Sequence, residues 1–68
     1  MKDASTVLKN GATVVERQKN VVLCDFHGQW VTWYIDDEGN AYWGHYCGDD
    51  FDMAVRDFQQ RVEESRYA

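Results

Sequence analysis

The chain has 68 residues, is 15% aromatic and 44% hydrophobic, and carries a formal net charge of -5 with no proline. That length sets a single small domain over residues 1–68, which buries only about 60% of its unfolded surface and so has a thin core. The acidic balance argues against direct nucleic-acid binding, which needs clustered Lys and Arg, and no apolar run is long enough to span a bilayer.

The opening residues, "MKDASTVLKNG", lack the apolar stretch of a signal peptide, which predicts a cytoplasmic protein. Cys24 and Cys47 are then expected as free thiols rather than a disulfide. The N-terminal stretch admits two readings. In the first, Asp3 or Ser5 caps a short helix with Ala4, Val7 and Leu8 on one face, and Gly11 ends it in the left-handed conformation. In the second, Asn10-Gly11 is a hairpin turn between two short strands. The helix is the preferred expectation; being short, it must be held by packing.

Four strand-like runs follow, with turn signals between them: Thr13 to Arg17, Val21 to Phe26, Trp30 to Asp36 and Ala41 to Cys47. His27-Gly28 reads as a two-residue turn, and "DDEG" as a type I turn with Gly39 left-handed. Such short links predict an antiparallel meander. Phe51, Ala54, Val55, Phe58 and Val62 then fall on one helical stripe, with Asp49 or Asp50 as cap and Asp52 in the first turn. Asp52–Arg56 and Asp57–Arg61 are i,i+4 pairs in the favourable order. The predicted class is α+β: a short N-terminal helix, a four-stranded antiparallel meander, and a C-terminal amphipathic helix packed on one sheet face.

Counting register from the turns sets Cys24 opposite Val31, Val22 opposite Trp33, Val31 opposite His45 and Trp33 opposite Trp43. One face then carries Val15, Val22, Cys24, Val31, Trp33, Ile35, Ala41, Trp43 and His45, the expected bed for the helix. The other carries Val14, Val21, Leu23, Trp30, Thr32, Tyr34, Tyr42 and Tyr46. That face is too aromatic for open water, so the N-terminal segment, a second copy or a partner is expected to cover it. A one-residue slip of the fourth strand would exchange its two faces.

"CDFHG" and "GHYC" hold four potential metal ligands: Cys24, His27, His45 and Cys47. On the counted register Cys24 and His45 are separated by a whole strand, nearly 10 Å, too far for one zinc ion. His45 and Cys47 are i,i+2 neighbours about 6.5–7 Å apart, too far for a direct thiol–imidazole dyad. No phosphate loop, dinucleotide fingerprint or HExxH occurs. The expectation is therefore no catalytic residue, cofactor or metal, with Cys24 and Cys47 as buried apolar groups and His45 at the sheet–helix seam.

From Val31 to Arg61, "VTWYIDDEGNAYWGHYCGDDFDMAVRDFQQR", about half the chain resembles small uncharacterised proteins of bacterial mobile elements and phages. They show a "TW" strand, a D-x-x-G turn, a "WGHY" strand and an acidic helix in that order. The resemblance implies the topology and a mobile-element setting, and carries over no site residue. The function expected is non-enzymatic protein–protein interaction, with another protein or as a homodimer, through an edge strand or an aromatic face that includes Trp30, Tyr34, Tyr42 and Tyr46. One alternative is an acidic nucleic-acid mimic that captures a nucleic-acid-binding protein through Asp36, Asp37, Glu38, Asp49, Asp50, Asp52 and Asp57. A second alternative is a zinc or thiol site at Cys24, His45 and Cys47.

Overall fold

The computed structural model describes residues 6–65. Its strands are β1 (Thr6–Val7), β2 (Thr13–Gln18), β3 (Val21–Phe26), β4 (Gln29–Ile35) and β5 (Ala41–Tyr46), followed by one helix, α1 (Phe51–Ser65). The strands form one antiparallel sheet in the order β1-β2-β3-β4-β5, which makes the class α+β.

The N-terminal helix is not present over Thr6 to Gly11; its proposed caps, Asp3 and Ser5, lie outside the described residues. Thr6–Val7 pairs instead with Thr13 and Val14, and the chain reverses at Asn10-Gly11. The Asn10 side chain accepts from the Ala12 N–H at 3.0 Å, the local bond through which asparagine favours turns over helix. The hairpin reading of this segment is therefore the correct one.

The other turns form as their residues dictate. His27 (φ 52°) and Gly28 (φ 82°) make the two-residue link between β3 and β4, and both predicted pairs, Cys24 with Val31 and Val22 with Trp33, are observed. After β4, the Asp36 carboxylate accepts from the N–H groups of Glu38 and Asn40, and Gly39 donates to the Asp36 carbonyl at 3.0 Å. These bonds hold the Asp36 carboxyl below its ordinary pKa. Asp50 caps α1 by accepting from Met53 N–H at 3.0 Å. Of the two helix pairs, Asp57–Arg61 closes at 3.1 Å, and no Asp52–Arg56 bridge forms.

Both faces of the sheet are covered, by the opposite elements from those expected. Val22, Cys24, Val31, Trp33 and Ile35 pack with Ala12, and Leu8, Val14 and Ala41 border them. Leu8 and Ala41 come from opposite ends of the sheet, and Lys9 Nζ reaches Asn40 Oδ1 at 3.4 Å, so the sheet curls over this side. A face that closes on itself leaves no room for a helix. Helix α1 therefore lies on the convex side, over β3 and β4, where Ala54 and Phe58 pack with Val21, Leu23 and Cys47.

Candidate interaction surface

Strand β5 is interrupted by a bulge. Tyr42 pairs with Tyr34 and His45 with Thr32, so Trp43 and Gly44 together oppose Trp33. The predicted register is observed up to Tyr42, fails at Trp43, and is one residue out beyond it. Gly44 lies directly on the Trp33 indole. A Cβ there would come within 2.9 Å of Trp33 Cδ1 and closer still to Nε1, so only glycine fits. Trp43 takes the left-handed conformation, φ 55°. For a bulky residue that costs roughly 1–2 kcal/mol.

The bulge turns Trp43 toward the helix side of the sheet, where it is 73% exposed. Its ring stands edge-on to Tyr34 at 5.8 Å and to Tyr42 at 5.2 Å, while Tyr34 and Tyr42 stack at 5.9 Å. Helix α1 supports the cluster through Arg61. This guanidinium lies 5.0 Å over the Tyr34 ring, donates from Nη1 to the Trp43 carbonyl at 2.6 Å, and pairs through Nε with Asp57 at 3.1 Å. Asp57 also accepts from the hydroxyl of Thr32, a fully buried residue, and faces His45 Nδ1 at 3.1 Å. Partial burial alone would raise the Asp57 pKa, but the bonds from Thr32 and His45 and the charge of Arg61 hold it low. A polar seam thus joins the helix to the bulge, and His45 belongs to it as expected.

The four aromatic residues singled out from the sequence do not share one surface. Trp30 is half-buried beneath the start of α1, edge-on to Phe51 at 4.8 Å. Tyr34 is half-buried under Arg61, and Tyr42 is exposed beside Trp43. Beyond the bulge Tyr46 turns to the other side, packs edge-on to Trp33 at 5.9 Å, and is 53% exposed.

Cys24 lies in the core on the curled side and Cys47 in the core under the helix, so the sheet stands between them. Among the described residues no group of three or more His, Cys, Asp or Glu is placed to hold a metal. Cys47 Sγ lies 4.0 Å from His45 Nδ1, nearer than strand spacing alone suggests. That nitrogen faces the Asp57 carboxylate, so it serves as a donor and cannot take the thiol proton. Burial pushes the Cys24 thiol up to about 12. Burial, Asp57 and Asp50 together also raise Cys47. Neither is an activated nucleophile. Of the acids considered as phosphate mimics, Asp36, Asp50 and Asp57 are engaged in a turn, a cap and the seam.

Sequence reasoning missed the display of Trp43 and the inward role of Asp57. A glycine inside a strand pattern is a bulge signal, and "WG" carried it. Asp57 falls three residues after Ala54, on the rim of the apolar stripe, where a carboxylate meets the sheet rather than water. Comparison with known proteins finds no matching family model, curated protein or solved structure.

Proposed function

We propose that this chain is a small, non-catalytic protein-interaction module that contacts its partner, another protein or a second copy, through Tyr42 and Trp43. The observation that carries the reading is the mounting of Trp43: a large ring, mostly in water, on a strained backbone braced from behind by Arg61 and Tyr34. Strained backbone clusters where structure serves a contact, and tryptophan and tyrosine dominate the energetics of protein interfaces. The bulge also blunts β5 as an edge, which favours contact through the rings over strand pairing there. Two unpaired thiols fit a reducing cytoplasm, and the resemblance to small mobile-element and phage proteins supplies a setting.

Sedimentation across a wide concentration range, on the wild type and Trp43→Gly, tests the self-association form. It predicts a dimer that Trp43→Gly returns to monomer while the fold persists. For a different partner, a photo-crosslinking amino acid at position 43, used in cells that produce the protein, should give one dominant adduct. The same label at exposed Glu38 should give none. A monomer at every concentration together with no adduct at position 43 would overturn the proposal.

A further inference from the structure

The hairpin that joins β1 to β2 holds the chain's one Asn-Gly junction, and the turn brings together what that pair needs to react with itself. Lys9, Asn10 and Gly11 form the loop. Gly11 N–H donates to the Leu8 carbonyl at 2.9 Å, and Leu8 N–H to the Ala12 carbonyl at 2.8 Å. Lys9, Asn10 and Gly11 are all exposed, so water and base reach them. Gly11, at φ 94°, brings no side chain, and even a Cβ there would meet nothing within 4 Å among the described residues. Nothing therefore shields its nitrogen from the preceding side chain. Asn10 Oδ1 accepts from Ala12 N–H at 3.0 Å, which folds the carboxamide along the chain past the Gly11 peptide. That donor stays on Oδ1 as negative charge develops there during attack on Cγ, the part played by an oxyanion-hole donor.

The other asparagines lack this arrangement. Asn20 precedes Val21, which is β-branched and fully buried. Asn40 precedes Ala41, and its carboxamide is held at both ends: Nδ2 donates to Asp36 Oδ2 at 3.2 Å, and Oδ1 accepts from Lys9 Nζ at 3.4 Å.

We propose that Asn10-Gly11 is a site of self-modification in the folded chain, and that its isoaspartyl product loosens the closure of the sheet. Gly11 N–H leaves the Leu8 carbonyl and gives its proton to solvent base. The nitrogen bonds to Asn10 Cγ, the Cγ–Nδ2 bond breaks, and ammonia departs with a proton taken from solvent, leaving a cyclic succinimide. Water then opens the ring. Cleavage of the new Cγ–N bond gives aspartate on the ordinary backbone. Cleavage at the main-chain carbonyl gives isoaspartate, whose backbone runs through Cβ and Cγ. Nothing is oxidised or reduced; an amide and water become a carboxylate and ammonia. Aspartate keeps an oxygen for Ala12 N–H, so the turn persists. Isoaspartate adds a main-chain carbon to a loop pinned by the two Leu8 bonds, which then no longer close together. Leu8 and Ala12 pack in the curled core, and Lys9 reaches across to Asn40. Lengthening this loop thus frees β1 where the sheet curls shut.

The test is ageing of the full-length protein in mildly alkaline buffer, read by intact mass, anion exchange and peptide mapping in acid. Residue 10 should convert to two acidic products at least about tenfold faster than Asn20 or Asn40, and faster as pH rises. The purified isoaspartyl protein should lose amide-exchange protection at Leu8 and Ala12. The aspartyl form, and Asn10→Asp made directly, should keep it, which separates the added charge from the added backbone atom. Asn10→Gln, with the amide one carbon further out, should stay unconverted. Conversion confined to denaturant would overturn the proposal, because the Leu8 bond would then lock the turn. So would equal rates at Asn10, Asn20 and Asn40, or an isoaspartyl form with Leu8 and Ala12 still protected.

Discussion

Arg61 donates to the Trp43 carbonyl at 2.6 Å, so the last third of the helix holds the one bulky residue of β5 that has positive φ. The same guanidinium spans Asp57 and the Tyr34 ring. Helix docking and the conformation of the bulge are therefore one unit.

That coupling can be measured. In a strand interior alanine is usually more stable than glycine by about 0.5–1 kcal/mol. At position 43 the order should reverse. Trp43→Ala loses the ring contacts and keeps a Cβ in the left-handed region; Trp43→Gly loses the contacts and the strain together. Glycine should exceed alanine by about 1 kcal/mol in urea unfolding. Arg61→Met should cost about 1.5–3 kcal/mol in the wild type, since it removes charged hydrogen bonds. In the Trp43→Gly background the cost should fall by about 1 kcal/mol, because glycine holds the bulge unaided. Equal costs in both backgrounds would make Arg61 a structural anchor with no hold on Trp43.

Gly44 sits at the same bulge for a different reason, contact rather than φ. A methyl group there would press on the indole of Trp33, a core ring with its own neighbours Val22, Val31 and Phe26. Gly44→Ala should therefore cost about 1–3 kcal/mol, a typical overpacking penalty. A Trp33→Phe background should reduce that cost by making room. Thermal unfolding of the two singles and the double decides it.

The meander, its turns and the amphipathic helix were legible because each rests on local chemistry: Gly28 and Gly39 at turns, Asp50 at a cap, a stripe from Phe51 to Val62. Register was legible as far as turns propagate it, which is why the β3–β4 pairs were correct throughout and the β4–β5 pairs only up to Tyr42. A bulge is set by what the partner strand needs, here space for Trp33; counting residues from the turns passes straight through it, and Gly44 is its one local mark. The assignment of faces failed for a similar reason. Both faces read as apolar, and which one closes on itself depends on the sheet's curl, a property of all its strands at once. The Asp57 seam was half legible: the pairing with Arg61 follows from i,i+4 spacing, whereas the bonds to Thr32 and His45 depend on which face α1 covers.

The two thiols should be inert in the native protein. Burial holds Cys24 near 12, so at pH 8 its thiolate fraction is on the order of one in ten thousand, and Cys47 is also raised. Iodoacetamide at pH 8 should leave both unmodified in the folded chain and alkylate both in denaturant, as read by intact mass. Rapid native labelling of Cys47 would show that His45 activates it after all.

The seam also predicts the response to acid. The Asp57 pKa is depressed in the folded chain, so its contribution is fully present above the unfolded value of about 3.9 and is lost as pH falls through the lower folded value. Stability should therefore hold near neutrality and decline below about pH 4. Asp57→Asn should cost about 1–3 kcal/mol at pH 7, because the charge-assisted bonds from Thr32, His45 and Arg61 are weakened. The variant should then lose less on acidification than the wild type. Some acid slope must remain, since the exposed Asp36 is also depressed and is untouched by the change. Urea midpoints at pH 7, 5, 4 and 3 for both proteins provide the measurement. Parallel curves would mean that the seam holds Asp57 no more tightly folded than unfolded.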